Sequence, residues 1–148
     1  MPRPSDADLH TTVAGRLRRS GERYTAGRRV LVEALAGADR PPSIPDLLVG
    51  TPGLAQSSAY RNLAVLERAG VVRRIATTDE YARFELAEDL TEHHHHLICT
   101  VCGSVEDFTA SRQLERTLEA ALSRVTTGTG FTADHHRLDL LGTCGGCR

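Results

Sequence analysis

The 148-residue sequence has no lysine: all 18 of its basic side chains are arginine. A GC-rich genome explains that bias as well as chemistry does, so it does not by itself imply arginine-specific recognition. No apolar run approaches the roughly 18 to 20 residues that a membrane span requires. The first sixteen residues carry no apolar stretch of the kind a secretory signal needs, and a soluble cytoplasmic protein is expected. Aromatic residues make up only 4%, which leaves little to line a substrate pocket. The rest of the composition, 40% hydrophobic and 25% charged with 13 Gly and 6 Pro, excludes a disordered tail, a collagen and a low-complexity polymer. The length suits one domain or two small ones, with a core that needs no disulfide staples.

Charge is uneven along the chain. Residues 1–84 hold 13 Arg against 9 Asp and Glu, a net of +4, whereas residues 85–148 hold 5 against 10, a net of −5. The front half is suited to a polyanion and the back half to something else. The back half also contains all four cysteines and six of the seven histidines.

Helical periodicity runs from Asp8 to Ser20 through Leu9, Val13 and Leu17. Thr25 is placed to cap a second helix carrying Val30, Leu31, Ala34 and Leu35, with Gly37 ending it. Ser43 is placed to cap a short third helix with Pro45 in its first turn. Ser57 or Ser58 is expected to open a fourth, from Ala59 to Ala69, with Gly70 at its end. Two extended stretches follow, 71–75 and 81–86, joined by Thr77–Glu80 as a hairpin loop. Short helices followed by a hairpin are the layout of a winged helix-turn-helix. Beyond residues 87–92, strands are expected at 95–98 and 104–108. A helix is marked by Leu114, Leu118, Ala121, Leu122 and Val125, and extended segments are expected at 131–133 and 136–141. The fold class is therefore α+β: a winged-helix domain over 1–86, a hinge over 87–92, and a small α/β domain over 93–148.

The cysteines fall as Cys99-x-x-Cys102 and Cys144-x-x-Cys147. Two residues between thiolates let both sulfurs reach one ion about 2.3 Å away, and four thiolates leave no open position. In a cytosolic chain this reads as one structural zinc per chain rather than as a disulfide framework. The run His93-His94-His95-His96 sits just before the first pair. Side chains on a strand alternate faces, so His93 and His95 share one side and His94 and His96 the other. One run can thus feed two metal sites, with Glu85, Glu115, His135 and His136 available as further ligands. Upstream, Ser57, Ser58, Tyr60 and Arg61 open a helix suited to a DNA groove, small residues allowing close approach. Arg16, Arg18, Arg19, Arg23 and Arg28 are available for phosphates.

Thr25 with Arg28, Ser58-Ala59-Tyr60-Arg61-Asn62-Leu63, Ala69-Gly70-Val71-Val72, Arg83-Phe84-Glu85-Leu86, the His run leading into Cys99-x-x-Cys102-Gly103, His136 to Gly142 and the last Cys pair together resemble the ferric uptake regulator family. The match extends over about residues 9–148 in the family's order. The resemblance implies a dimeric, metal-dependent DNA-binding repressor of metal homeostasis with a C-terminal dimerisation domain. It also implies three sites: structural zinc at Cys99, Cys102, Cys144 and Cys147; a sensor site at Glu85, His94 and His96; and a second site at His93, His95, Glu115 and His136. The regulatory ion is iron(II) or zinc, with manganese a further option. An iron-type sensor is favoured over a zinc or a manganese/peroxide type. Two positions depart from the family pattern. The loop that often adds a histidine reads Arg40-Pro41-Pro42, and Arg73 and Ala87 stand where zinc sensors carry Asp and Cys. Water, His10 or an acidic residue of the first domain is left to complete the sensor. A metal-dependent hydrolase and a zinc-storage module are the competing classes. Nothing else resembles a hydrolase's substrate pocket, storage does not require Tyr60, Arg61 and the arginines before them, and no enzyme activity is expected.

Overall fold

A computed structural model describes residues 5–148. Four helices come first: α1 (Asp6–Arg19), α2 (Ala26–Ala36), α3 (Ile44–Gly50) and α4 (Gln56–Arg68). Local side chains start three of them. Ser5 and Thr25 accept from the backbone N–H of Asp8 and Arg28. Ser43 forms a capping box, its Oγ accepting from Asp46 N–H while the Asp46 carboxylate accepts from Ser43 N–H at 2.9 Å. These bonds satisfy backbone donors that the first helical turn leaves without partners. The fourth helix differs from expectation. It begins at Gln56 with Ala55 at the cap and no side-chain cap, so Ser57 and Ser58 lie inside its first turn. Gly70, at φ +70°, ends it, and Val71 N–H reaches back to Leu66 O at 2.9 Å. That left-handed conformation is why glycine serves there.

Leu9, Val13 and Leu17 of α1, Leu31, Val32 and Leu35 of α2, and Ala59, Leu63 and Leu66 of α4 form one buried core. The hairpin β1 (Val72–Ile75) and β2 (Arg83–Leu86) closes it with Phe84 and Leu86. In its antiparallel register Arg73 stands opposite Glu85. Residues 87–92, read from sequence as a linker, carry a single 3-10 turn, Glu88–Leu90. Leu90 is buried in this same core, and Arg16 pairs with Asp89. An apolar side chain at 90 draws most of the segment onto the winged unit.

The second unit is a three-stranded sheet in the order β4-β3-β5, from β3 (His95–Cys99), β4 (Val105–Phe108) and β5 (Asp139–Gly142). β3 pairs antiparallel with β4 and parallel with β5. The parallel pairing requires a long crossover, supplied by α5 (Arg112–Thr126), capped by Ser111. No residue of α5 is buried, and Leu114, Leu122 and Val125 are exposed. The stretch 131–133 forms no strand, and only Asp139 onward of 136–141 does, because pairing with β3 begins at His96↔Asp139. The two units touch where Ile75 packs with Ile98 and Val105, and where Thr78 Oγ1 donates to Thr100 O at 3.0 Å. Among the described residues no helix is long and apolar enough to cross a membrane.

Candidate metal centres

Strand β3 supplies ligands to three clusters. At its end Cys99 meets Cys102, Cys144 and Cys147, with all four sulfurs within 4.8 Å of one another. None is in a disulfide. Sulfurs 2.3 Å from a shared tetrahedral ion lie roughly 3.8 Å apart, and Cys102 and Cys144 Sγ are 3.8 Å apart. Backbone N–H groups of Cys102, Cys144 and Val101 lower the Cys99 thiol to about 6, which favours the thiolate that a metal needs. Bonds with Cys144 and Cys102 push Cys147 up to about 12, so an incoming cation has a proton to displace there. The knuckle turns at Gly103, φ +70°, where a Cβ would lie 2.3 Å from the Asp79 carboxyl carbon of the hairpin loop. The donor set and spacing fit a structural zinc.

His94 and His96 face the winged unit. Each Nε2 lies 3.0 Å from the same oxygen, Glu85 Oε2. Asp107 joins them, 3.6 Å from His96 Nε2 and 4.0 Å from His94 Nε2, and all four ligand atoms lie within 4.8 Å of one another. The other ring nitrogens are held from behind: His94 Nδ1 is 2.7 Å from Glu92 O and His96 Nδ1 is 3.2 Å from Asp139 Oδ1. An Nδ1–H donated to oxygen leaves the Nε2 lone pair for a cation. The bond to Glu85 raises His94 to about 9. Burial pushes Glu85 up, but its bonds with His94 and His96 and the charges of His96 and Arg73 outweigh that and hold it well below the usual carboxylate range. Burial pushes Asp107 up.

His93, His95, Glu115 and His136 form the third cluster. Glu115 of α5 reaches His95 Nε2 at 2.7 Å and His136 Nε2 at 3.1 Å. His93 Nε2 is 3.4 Å from Glu115 but makes no hydrogen bond, and it is buried, as is the equally unbonded His95 Nδ1. Buried ring nitrogens without partners are costly unless another group or ion uses them. At least the His93 atom, aimed at Glu115, fits a cation.

Sequence reasoning did not find Asp107 and Asp139. They are the register partners of His96 on its two neighbouring strands. Directly opposed residues share a face of the sheet, so both acids line up with His96. Only the pairing register, not the spacing along the chain, carries that signal. His10, one of the options for completing the sensor, is instead bonded to Tyr24 Oη at 2.7 Å. Arg40, Pro41 and Pro42 line a cleft beside Glu85, His94 and Asp107 but offer no ligand. His135 is exposed and joins no cluster.

Of the residues expected at DNA, Tyr60, Arg61 and Ser57 are exposed on α4, Ser58 is half-buried, and Arg19 and Arg23 are exposed. Arg28 is engaged within the fold: its guanidinium pairs with Glu22 at 2.9 Å and donates to Arg23 O at 2.6 Å. Arg16, bound to Asp89 and Gly70 O, is likewise committed to the fold.

A model of the ferric uptake regulator family matches residues 19–141. The chain belongs to that family. This member of the ferric uptake regulator family is 32% identical over 135 residues to the peroxide operon regulator of Bacillus subtilis, with 88% of each chain covered. It is 29% identical over 147 residues to the peroxide-responsive repressor of Staphylococcus epidermidis, covering 97% of this chain and 92% of that one. Its fold matches the Helicobacter pylori ferric uptake regulator with a TM-score of 0.75 at 21% identity, over 99% of this chain and 97% of that one. The Vibrio cholerae ferric uptake regulator matches with a TM-score of 0.68 at 26% identity, over 86% and 96%. A metal-responsive transcriptional repressor, the leading expectation from the residues, is what this family comprises.

Proposed function

We propose that this regulator binds operator DNA as a homodimer when a divalent cation occupies Glu85, His94, His96 and Asp107. A zinc ion at Cys99, Cys102, Cys144 and Cys147 would hold the second unit together. One observation carries the reading: a carboxylate on the wing hairpin lies 3.0 Å from two histidine nitrogens of the other unit. An ion taken by all of them fixes the winged unit against the sheet, and it acts by favouring the DNA-competent arrangement over others. His93, His95, Glu115 and His136 would hold a second cation on the opposite face. Tyr60 and Arg61, with Ser57 and Ser58 at the start of α4, face the groove, and Arg19 and Arg23 serve phosphates. Arg28 positions α2 and its neighbours rather than a phosphate. The exposed apolar residues of α5 and β5, including Leu114, Leu122, Leu140 and Leu141, supply the partner-facing surface. Such a protein works with the chromosome in the cytoplasm.

Two imidazoles and two carboxylates without a thiolate suit iron(II) or manganese(II) better than a thiol-rich zinc sensor. A peroxide-responsive member is the second reading, favoured by the names of the relatives from Bacillus subtilis and Staphylococcus epidermidis. Fluorescence anisotropy with promoter-derived duplexes, titrated in turn with iron(II), manganese(II) and zinc, tests the function. The regulatory ion should raise DNA affinity by roughly 5- to 150-fold. Glu85→Gln combined with His96→Ala should abolish that gain while leaving the thiolate zinc in place; a retained response sinks the assignment. Exposure of the iron-loaded and manganese-loaded dimers to graded hydrogen peroxide tests the second reading, since a peroxide-responsive member should lose DNA affinity in its iron form at peroxide levels that leave the manganese form bound.

A further inference from the structure

The oxygens of Glu85 are divided between two kinds of partner. Oε2 faces His94 and His96, whereas Oε1 takes both Nε and Nη2 of Arg73, the Nε contact at 2.6 Å. Arg73 is the cross-strand neighbour of Glu85, and both side chains are largely shielded from water, at 14% and 9% exposure. A fixed guanidinium therefore stands against the carboxylate that would join the wing to a regulatory cation. Two like charges at one partly buried carboxylate repel, and water screens them little there. The same contact occupies Oε1, so Glu85 can offer a cation one oxygen only. On its other side Arg73 lines an open cleft with Gly70, Ala87, Asp134 and Arg137.

We infer that Arg73 sets the metal threshold of this site: its positive charge competes with the incoming cation for Glu85 and raises the concentration of metal needed to fill it. The inference rests on the reading that Glu85, His94, His96 and Asp107 hold the regulatory ion. Arg73 is a positioning residue, acting on the ion through Glu85 and its charge. Its neutral replacement frees Oε1 and removes the repulsion, and it tightens metal binding. A residue that only braced the hairpin would do the opposite, because its loss would loosen the ligand set.

The test uses the full-length zinc-loaded dimer and manganese(II) as probe, with free manganese followed by electron paramagnetic resonance. Arg73→Gln should lower the manganese dissociation constant about ten-fold or more, as expected for removing a unit charge beside the ion. Arg73→Met, which keeps the apolar stem, should do the same if the Gln variant does not fold. Arg73→Lys, which keeps the charge but not the two-pronged contact, should tighten manganese binding less than the neutral variants do. The manganese concentration at half-maximal DNA binding should shift in parallel with the dissociation constant. Glu85→Gln is measured beside them. If it binds manganese like the parent, the site itself is misassigned and the inference falls with it. If Glu85→Gln loses the ion while both neutral Arg73 variants bind manganese no more tightly than the parent, the site stands and the role of Arg73 is overturned.

Discussion

The two units are held together by different means. The winged unit closes an apolar core from α1 to β2, with Val13, Leu17, Leu31 and Leu66 fully buried. The second unit buries Ile98 and Val105, borrows Ile75 from the hairpin, and leaves α5 without one buried side chain. In place of a core it has His95, His96 and Cys99 inside and thiols and carboxylates around them. A fold with little apolar interior depends on metals or a partner for stability. One half of the chain is thus stabilised by burial, whereas the other carries donor clusters where a core would be, which on the proposed function makes it the natural place for a response to metal.

The largest effect that could break this contrast is loss of zinc. Structural zinc supplies on the order of 10 kcal/mol of folding free energy in small domains. Cys99→Ser or Cys144→Ser should remove one zinc per chain and expose the amides of β3 to β5 to hydrogen exchange, while α1, α2 and α4 stay protected. Equal loss of protection in both units would show that they fold as one. Next in size is a cavity in the winged core. Leu31→Ala should cost about 2–5 kcal/mol in thermal or denaturant unfolding of that unit, with zinc content unchanged.

A charge on α5 sharpens the comparison from the other side. Leu122→Glu should weaken dimerisation by about 5- to 150-fold, about 1–3 kcal/mol, read by sedimentation, without changing the stability of the winged unit. The smallest effect lies in the capping box of α3. Bonds from the Ser43 hydroxyl and N–H hold the Asp46 carboxyl below its ordinary value. A depressed folded value means stability that is fully present above the unfolded value, near 3.9, and is lost as pH falls through the folded one. Asp46→Asn should remove this acid limb from the pH–stability profile of the winged unit, and Ser43→Ala should cost about 1 kcal/mol at neutral pH.

The sequence made the winged unit legible because its signals are local: Thr25 and Ser43 cap helices, Leu9, Val13 and Leu17 keep helical spacing, and Gly70 stops α4. Alternation along one strand likewise sorts His93 and His95 from His94 and His96, whereas Glu85, Glu115 and His136 were tied to them only through the family resemblance. What stayed hidden depended on contacts between distant segments. Asp107 and Asp139 reach His96 through strand register, Arg28 is withdrawn from solvent by Glu22, and Leu90 is drawn into a core whose members reach back to Leu9. The start of α4 was misplaced because the sequence offers serines where a cap is expected, whereas the helix begins three residues before Ala59, at Gln56, without a side-chain cap.

The burial of Leu90 also fixes how far the two units can part. Leu90 is anchored in the winged core and His95 in the sheet, and His93 and His94 belong to ligand clusters. Thr91 to His94 run between them, a span from Leu90 to His95 of about 17 Å at full extension, and within it Thr91 is still bonded to Glu88 O and Glu92 O to His94 Nδ1. On the proposed function, filling or emptying the regulatory site would turn the winged units about a short pivot without letting them drift away. In a dimer, two such pivots convert a small rotation at each site into a change in the spacing between two α4 helices, the quantity that a two-fold DNA site measures.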